Sequence, residues 1–227
     1  MKPKSIVYNM DCLEFMRSLP DKHFDLCIAD PPYGIGIDGQ KECMCKNPKH
    51  NRKQHAQKDW DKTIPCAEVF EQMHRVAKML IIWGGNYFLQ YLNEGHKGWI
   101  CWYKGQQGLT MSDCELAYST FDTPTRVCII NRAVLAKEGT IHPTQKPVAL
   151  YAWILNNYAK QGDRIFDPFL GSGSSRIAAF KKGFDFTACE LDKEYFDAQE
   201  KRFQKEINGV QELKNGKVIV QTNLFEL

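Results

Sequence analysis

The chain has no apolar run long enough to cross a bilayer. Its most hydrophobic interior stretch, MLIIW at residues 79–83, has five residues, where a spanning helix needs about 20. The opening MKPKSIVYNMD carries no apolar targeting run either, so a cytoplasmic protein with no membrane partner is the expectation. There is no internal repeat and no excess of one charge: 30 Lys plus Arg against 27 Asp plus Glu leave +3, which neither demands nor excludes a polyanionic partner. A disulfide framework is also missing. The nine cysteines are odd in number and scattered, which suits reduced thiols serving mostly as core residues. What remains is 227 residues, 43% of them hydrophobic, enough for one domain over 1–227 with a sizeable core.

Short β-rich runs alternate with helical patterns, the signature of a parallel sheet covered on both faces. SIVY (5–8), FDLCIA (24–29), MLIIW (79–83), GWICWY (98–103), CELAYST (114–120), DRIFD (163–167) and FDFTAC (184–189) read as strands. DCLEFMRSL, PCAEVFEQMHRVAK, PVALYAWILNNYA and DKEYFDAQEKRFQ read as helices; in the second, Val69, Phe70, Met73 and Val76 form one stripe. Residues 38–62 break the alternation. This polar stretch has seven Lys or Arg against four acids and no period, and reads as an inserted loop.

Ligands of open α/β sheets bind beyond the carboxyl ends of the strands, so motifs that follow a strand carry most weight. RIFDPFLGSGSSRIAAFKKG reads as strand, glycine turn and helix. Gly171 and Gly173 let backbone approach a ligand closely, and the helix starting near Ser174 offers unpaired N–H groups. Seventeen residues past Gly173, Glu190 ends the next apolar run, where an acid can accept both hydroxyls of a ribose. The third glycine of a dinucleotide fingerprint is replaced by Arg176, which argues for another ribose-containing cofactor. The other motif is ADPPYGIG (29–36). Asp30 follows a strand, Pro31 and Pro32 hold the segment extended, and Tyr33 adds an aromatic face. These parts suit an aromatic amine: if Asp30 and the Pro31 carbonyl accept its two N–H hydrogens while Tyr33 stacks on the base, the nitrogen lone pair is freed toward an electrophile.

Together the motifs resemble the amino-group DNA methyltransferases that use S-adenosylmethionine, over roughly residues 5–205. DPPY is similar to that family's catalytic motif, FDPFLGSGSS to its methionine-binding loop, ELDKEYFDAQEKR to its ribose-binding acid and helix, and HPTQKPVAL to the segment preceding the cofactor loop. The catalytic motif comes before the cofactor loop, the order of the β group, which implies a circularly permuted, Rossmann-like, seven-stranded α/β methyltransferase sheet. The resemblance implies catalysis by Asp30, Pro31, Pro32 and Tyr33. It places the cofactor's adenine at Asp11 and Cys12, its ribose at Glu190, and its methionine side at Asp167, Phe169, Gly171, Gly173 and Ser174. His142, Thr144 and Lys146 are expected near the methionine carboxylate and the active site, with Asp30 bordering both.

The implied reaction moves a methyl group to the exocyclic amine of adenine in DNA, with the base flipped out of the stack, in a restriction-modification setting. The implied partner is DNA, with a homodimer left open. Asp30 favours adenine, since relatives acting on cytosine more often carry Ser there. Cytosine is the alternative, and a binding scaffold without catalysis is disfavoured by the intact DPPY and GSG. Met10 stands where the family commonly has Gly, and only about twenty residues separate the strand at 114–120 from HPTQKP, so the target-recognition region is reduced. The basic loop, with YKGQQGLTMSD and RVCIINRAVLAKEG, is then expected to meet phosphates. Cys43, Cys45, His50 and His55 in that loop are four potential zinc ligands, at a spacing unlike the usual zinc fingers; zinc there would order the loop and take no part in methyl transfer. No metal is expected in the chemistry, because the sulfonium is already activated.

Overall fold

A computed structural model describes residues 2–39, 58–92, 97–105, 107–108, 112–131, 133–212 and 218–220. Strands β1 (Ser5–Tyr8), β2 (Phe24–Ala29), β3 (Ala77–Trp83), β4 (Ile100–Tyr103), β5 (Cys114–Ser119), β6 (Arg126–Ile129), β7 (Arg164–Asp167) and β8 (Asp185–Cys189) form one sheet, ordered β1, β8, β7, β2, β3, β5, β4, β6. From β1 to β3 every pairing is parallel; β5 then runs antiparallel to both β3 and β4. A separate antiparallel pair is formed by β9 (Val210–Glu212) and β10 (Val218–Val220).

All seven strands read from the sequence are present, and β6 is an eighth. It falls in a stretch expected to be loop and pairs in parallel with β4 at the sheet edge. Only four residues long, with Val127 and Ile129 exposed, it lacks the buried alternation that marks a strand. The helix expected over 65–78 ends at Val76, and β3 begins at once with Ala77.

Helices cover both faces. On one, α1 (Cys12–Arg17) and α2 (Ala67–Val76) bury Met16, Phe70 and Met73 against Cys27, Leu80 and Ile82. On the other, α4 (Val148–Tyr158) and α5 (Ser174–Lys181) bury Leu150, Ile154 and Ala178 against Leu26, Ile81 and Ile165. The α2 stripe is buried as its spacing predicts. A short α3 (Val134–Glu138) precedes α4, and α6 (Lys193–Asn208) starts at Asp192, whose carboxylate accepts from the Glu194 and Tyr195 N–H groups. Among the described residues, no helix is long and apolar enough to cross a membrane, and no cluster of His, Cys, Asp or Glu is placed to hold a metal ion. Cys43, Cys45, His50, His55 and most of the 38–62 loop lie outside the described residues.

Candidate active site

Parallel pairing brings the ends of β1, β8, β7 and β2 side by side, and each supplies an acid: Asp11 just beyond β1, Glu190 after β8, Asp167 ending β7 and Asp30 after β2. A cleft of about 470 Å³ opens at this edge, a size typical of small-molecule sites. Asp30, Pro31, Pro32 and Tyr33 line it, as do Asp11, Cys12, Phe169, Gly171, Glu190, His142, Thr144 and Lys146. Asp167, Gly173 and Ser174, expected at the cofactor's methionine side, shape the loop from behind and are not part of the cleft lining. The Asp167 carboxylate accepts from the Phe169 N–H at 2.9 Å and the Ser175 hydroxyl at 2.5 Å, and the Ser174 hydroxyl accepts from Arg202 at 2.8 Å.

Asp30 is held on two sides. The Lys146 ammonium donates to both of its oxygens at 2.6 Å, and the Tyr33 hydroxyl donates to Oδ1 at 2.8 Å. Lys146 therefore faces the catalytic motif rather than the glycine turn. Burial raises the Asp30 carboxyl above the usual range, with Lys146 opposing it. Burial would lower the Lys146 ammonium, but Asp30 and Glu115 outweigh it and raise it. Tyr33 has one face stacked on Tyr87, with centroids 5.0 Å apart, so its clearest contribution is to prop Asp30 with its hydroxyl.

The cofactor-side loop is tied to its acid. Glu190 accepts from the Gly171 N–H at 2.7 Å and the Asp192 N–H at 2.9 Å, which places the carboxylate against the glycine turn. Gly171 has φ +52° and Gly173 φ +74°, backbone that glycine adopts freely. Asp11 caps α1, its Oδ1 accepting from the Leu13 and Glu14 N–H groups. His142 accepts at Nδ1 from the Thr144 N–H at 3.3 Å and packs between Trp60 and Tyr195.

Several residues of the site were not singled out from the sequence. Asp61, fully buried, accepts from the N–H groups of Gly34, Ile35 and Ile37, mooring the turn that follows DPPY. Asp38 accepts from the N–H groups of Lys58 and Asp59, closing the base of the insertion, and Lys58 pairs with Asp192 at 2.8 Å. Glu115 and Lys104 extend the Asp30 pair inward: Glu115 lies 3.1 Å from Lys146 and 2.7 Å from Lys104. A charged residue at a core-facing position of the β5 run was the one readable signal for Glu115.

A family model described as DNA methylase matches residues 118–201, from β5 into α6. The Type II methyltransferase M.HpaI of Haemophilus parainfluenzae is 25% identical, covering 88% of this chain and 74% of its own; M.HinfI of Haemophilus influenzae is 23% identical, covering 86% and 67%. By these likenesses the chain is similar to the amino-group DNA methyltransferases. Solved structures share the methyltransferase fold. The M1.HpyAVI complex with S-adenosylmethionine superimposes with a TM-score of 0.61 at 20% identity over 87% of this chain and 98% of that one. The cytosine-N4-specific PvuII DNA methyltransferase gives 0.59 at 14% identity over 88% and 87%.

The cleft has the chemistry to take S-adenosylmethionine: acids at Asp11 and Glu190 for amine and hydroxyl donors, and apolar walls at Phe169 and Leu191. When bound, that cofactor would supply an electrophilic methyl group on a sulfonium. Asp167 stands behind this pocket, and burial pushes its carboxyl up to about 7. The folded chain thus holds that proton more tightly than the unfolded one. Its stabilisation is complete below about pH 4 and is lost as pH rises through about 7. Asp167→Asn keeps an acceptor for Phe169 and removes the titration. Thermal melts from pH 4 to 8 should show a shallower decline for the variant, by an amount on the order of a few kcal/mol at neutral pH; an identical pH slope would reject the assignment.

Proposed function

We propose that this chain transfers the methyl group of S-adenosylmethionine to the exocyclic amino group of adenine in DNA, after the base has left the stack. The observation that carries this reading is the Asp30 carboxylate, held by Lys146 and Tyr33 in the same cleft as the Glu190–Gly171 loop. A carboxylate has about four acceptor positions; Lys146 and Tyr33 use three, leaving one for an N–H of the incoming amine, with the Pro31 carbonyl as acceptor for its partner. Holding both hydrogens in this way directs the nitrogen lone pair away from the ring. As positive charge builds on that nitrogen, the acceptors bind it more strongly, which is differential stabilisation of the transition state. Duplex DNA must offer the base by flipping, at a cost of a few kcal/mol.

The site roles are part of the proposal: Asp30, Pro31 and Tyr33 at the amine, Asp11 at the cofactor adenine, Glu190 at the ribose, and Phe169, Gly171 and His142 toward the methionine. The chain acts as one domain in the cytoplasm, where DNA is the partner, and the basic segment 38–62 contacts phosphates in place of a large recognition region. Cytosine is the second reading, favoured by the fold shared with the PvuII enzyme. Nucleoside analysis of DNA from cells expressing the chain tests both. N6-methyladenine is expected, and N4-methylcytosine in its place would transfer the proposal to cytosine.

A further inference from the structure

Asp30 is one end of a row of four charges. Lys146 reaches both Asp30 oxygens at 2.6 Å, Glu115 Oε2 lies 3.1 Å from Lys146, and Glu115 Oε1 lies 2.7 Å from Lys104. Lys104 and Lys146 are buried, at 5% and 4% exposure, so neither charge is relieved by water. The floor is aromatic: Lys146 stands over the Trp83 ring and Lys104 over the Trp102 ring, and these two rings pack edge to face. The row is assembled by topology, since β5 carries Glu115, Lys104 follows β4, and Lys146 arrives from the segment before α4.

One contact in the row is electrostatic only. An ammonium has three N–H groups, and those of Lys146 reach Asp30 Oδ1, Asp30 Oδ2 and, at 3.1 Å, the Tyr33 hydroxyl. Glu115 Oε2 is covered and makes no hydrogen bond. Its charge is nevertheless retained, because Lys146 and Lys104 outweigh burial and hold the carboxyl down to about 2. An ionised, covered oxygen without a hydrogen bond contributes charge rather than shape.

We infer that Glu115 is a positioning residue for methyl transfer, whose charge, balanced by Lys104, keeps the row neutral so that no uncompensated lysine stands beside a cationic cofactor and an amine gaining positive charge. In the reaction the sulfur–methyl bond breaks and a nitrogen–methyl bond forms; the sulfonium becomes a neutral thioether, and the amine sheds a proton to solvent. The cofactor before transfer therefore carries one more positive charge than S-adenosylhomocysteine after it. A change in the row's charge must act on the two ligands unequally, whereas loosened packing acts on both alike. This inference rests on the proposed role of Asp30 at the reacting amine.

Calorimetry of both ligands with the full chain tests it. Glu115→Gln makes the row net positive and should weaken S-adenosylmethionine relative to S-adenosylhomocysteine on the order of tenfold, the effect of one unit charge in partly buried surroundings. Lys104→Met makes the row net negative and should move the ratio the other way. The double variant should return it to the wild-type value. Opposite signs cannot come from packing damage, and Lys104→Met keeps the test open if Glu115→Gln does not fold. Equal changes for both ligands in either single variant overturn the inference, provided the wild type methylates a DNA amine. A wild-type chain that methylates none overturns the proposed function instead.

Discussion

Asp30→Ala is expected to lower methyl transfer by at least about 10²–10³-fold, the scale on which removing one preorganised polar group from a reacting centre is felt, while S-adenosylmethionine affinity falls by no more than about tenfold, the effect of leaving the row of Lys146, Glu115 and Lys104 net positive. The two effects separate because the proposed cofactor acids, Asp11 and Glu190, follow β1 and β8, whereas Asp30 follows β2. The fold should tolerate the change. Removing one partner of a buried ion pair ordinarily costs about 3–5 kcal/mol because a charge is stranded, but Lys146 retains Glu115 at 3.1 Å. A labelled-methyl assay on duplex DNA, with calorimetry on the same preparation, reads both quantities. Near-normal turnover would remove Asp30 from the reaction, and cofactor affinity falling in step with turnover would make it a binding residue instead.

How much of this was readable from the chain follows from how local each signal is. DPPYG and the turn through Gly171 and Gly173 are read from neighbours within a few residues, because a strand end, prolines and glycines each constrain the backbone where they stand. Glu190 is read from its distance to that turn, since a strand–helix–strand unit has a narrow range of lengths. Asp61 gave no such signal. Its carboxylate meets Gly34 across 27 positions of sequence, at the far end of an insertion whose middle has no period. Glu115 depends on β5 lying antiparallel beside β3 and β4, a pairing that no local pattern announces. Strand β6 went unread for a related reason: its hydrogen bonds go to β4, some 25 residues back, and its exposed Val127 and Ile129 break the burial rhythm.

The residues 58–61 were read as the end of a basic loop that meets phosphates, Lys58 among the contacts; the structure makes them part of the site, with Lys58 paired to Asp192 and Glu194. Lys58 reaches Asp192, which lies two positions past the proposed ribose acid; Trp60 packs on His142; Asp61 holds the turn after the catalytic motif. One short limb thus touches both halves of the cleft. Charge and polarity in a sequence window cannot distinguish such a limb from a solvated loop; burial can, and Asp61 is fully buried.

Gly84→Ala should also have a large effect, for a reason the geometry states directly. Gly84 follows β3 with φ +69°, and its N–H donates to the Leu116 carbonyl at 2.8 Å. A Cβ there would lie 2.3 Å from Tyr33 Cε1 and 2.7 Å from two further ring atoms. The ring has little room to yield, because its hydroxyl is bonded to Asp30, one face is stacked on Tyr87, and the edge of Phe88 lies against it. Left-handed backbone costs a non-glycine residue about 1–2 kcal/mol, and overpacking adds about 1–3 kcal/mol. The sum corresponds to a fall in melting temperature of roughly 5–15 °C for a chain of this size. Displacing the Tyr33 hydroxyl also removes one of the three hydrogen bonds that orient Asp30, so turnover should fall on the order of a hundredfold with cofactor affinity little changed. Gly36→Ala separates the two causes: Gly36 has φ +66° but nothing within 4 Å of its Cβ position, so it carries the backbone strain without the collision. Gly84→Ala should therefore lose far more turnover than Gly36→Ala at comparable folded fraction. Equal losses in the two variants would show that Tyr33 does not need its place against Gly84, and would leave Lys146 as the residue that orients Asp30.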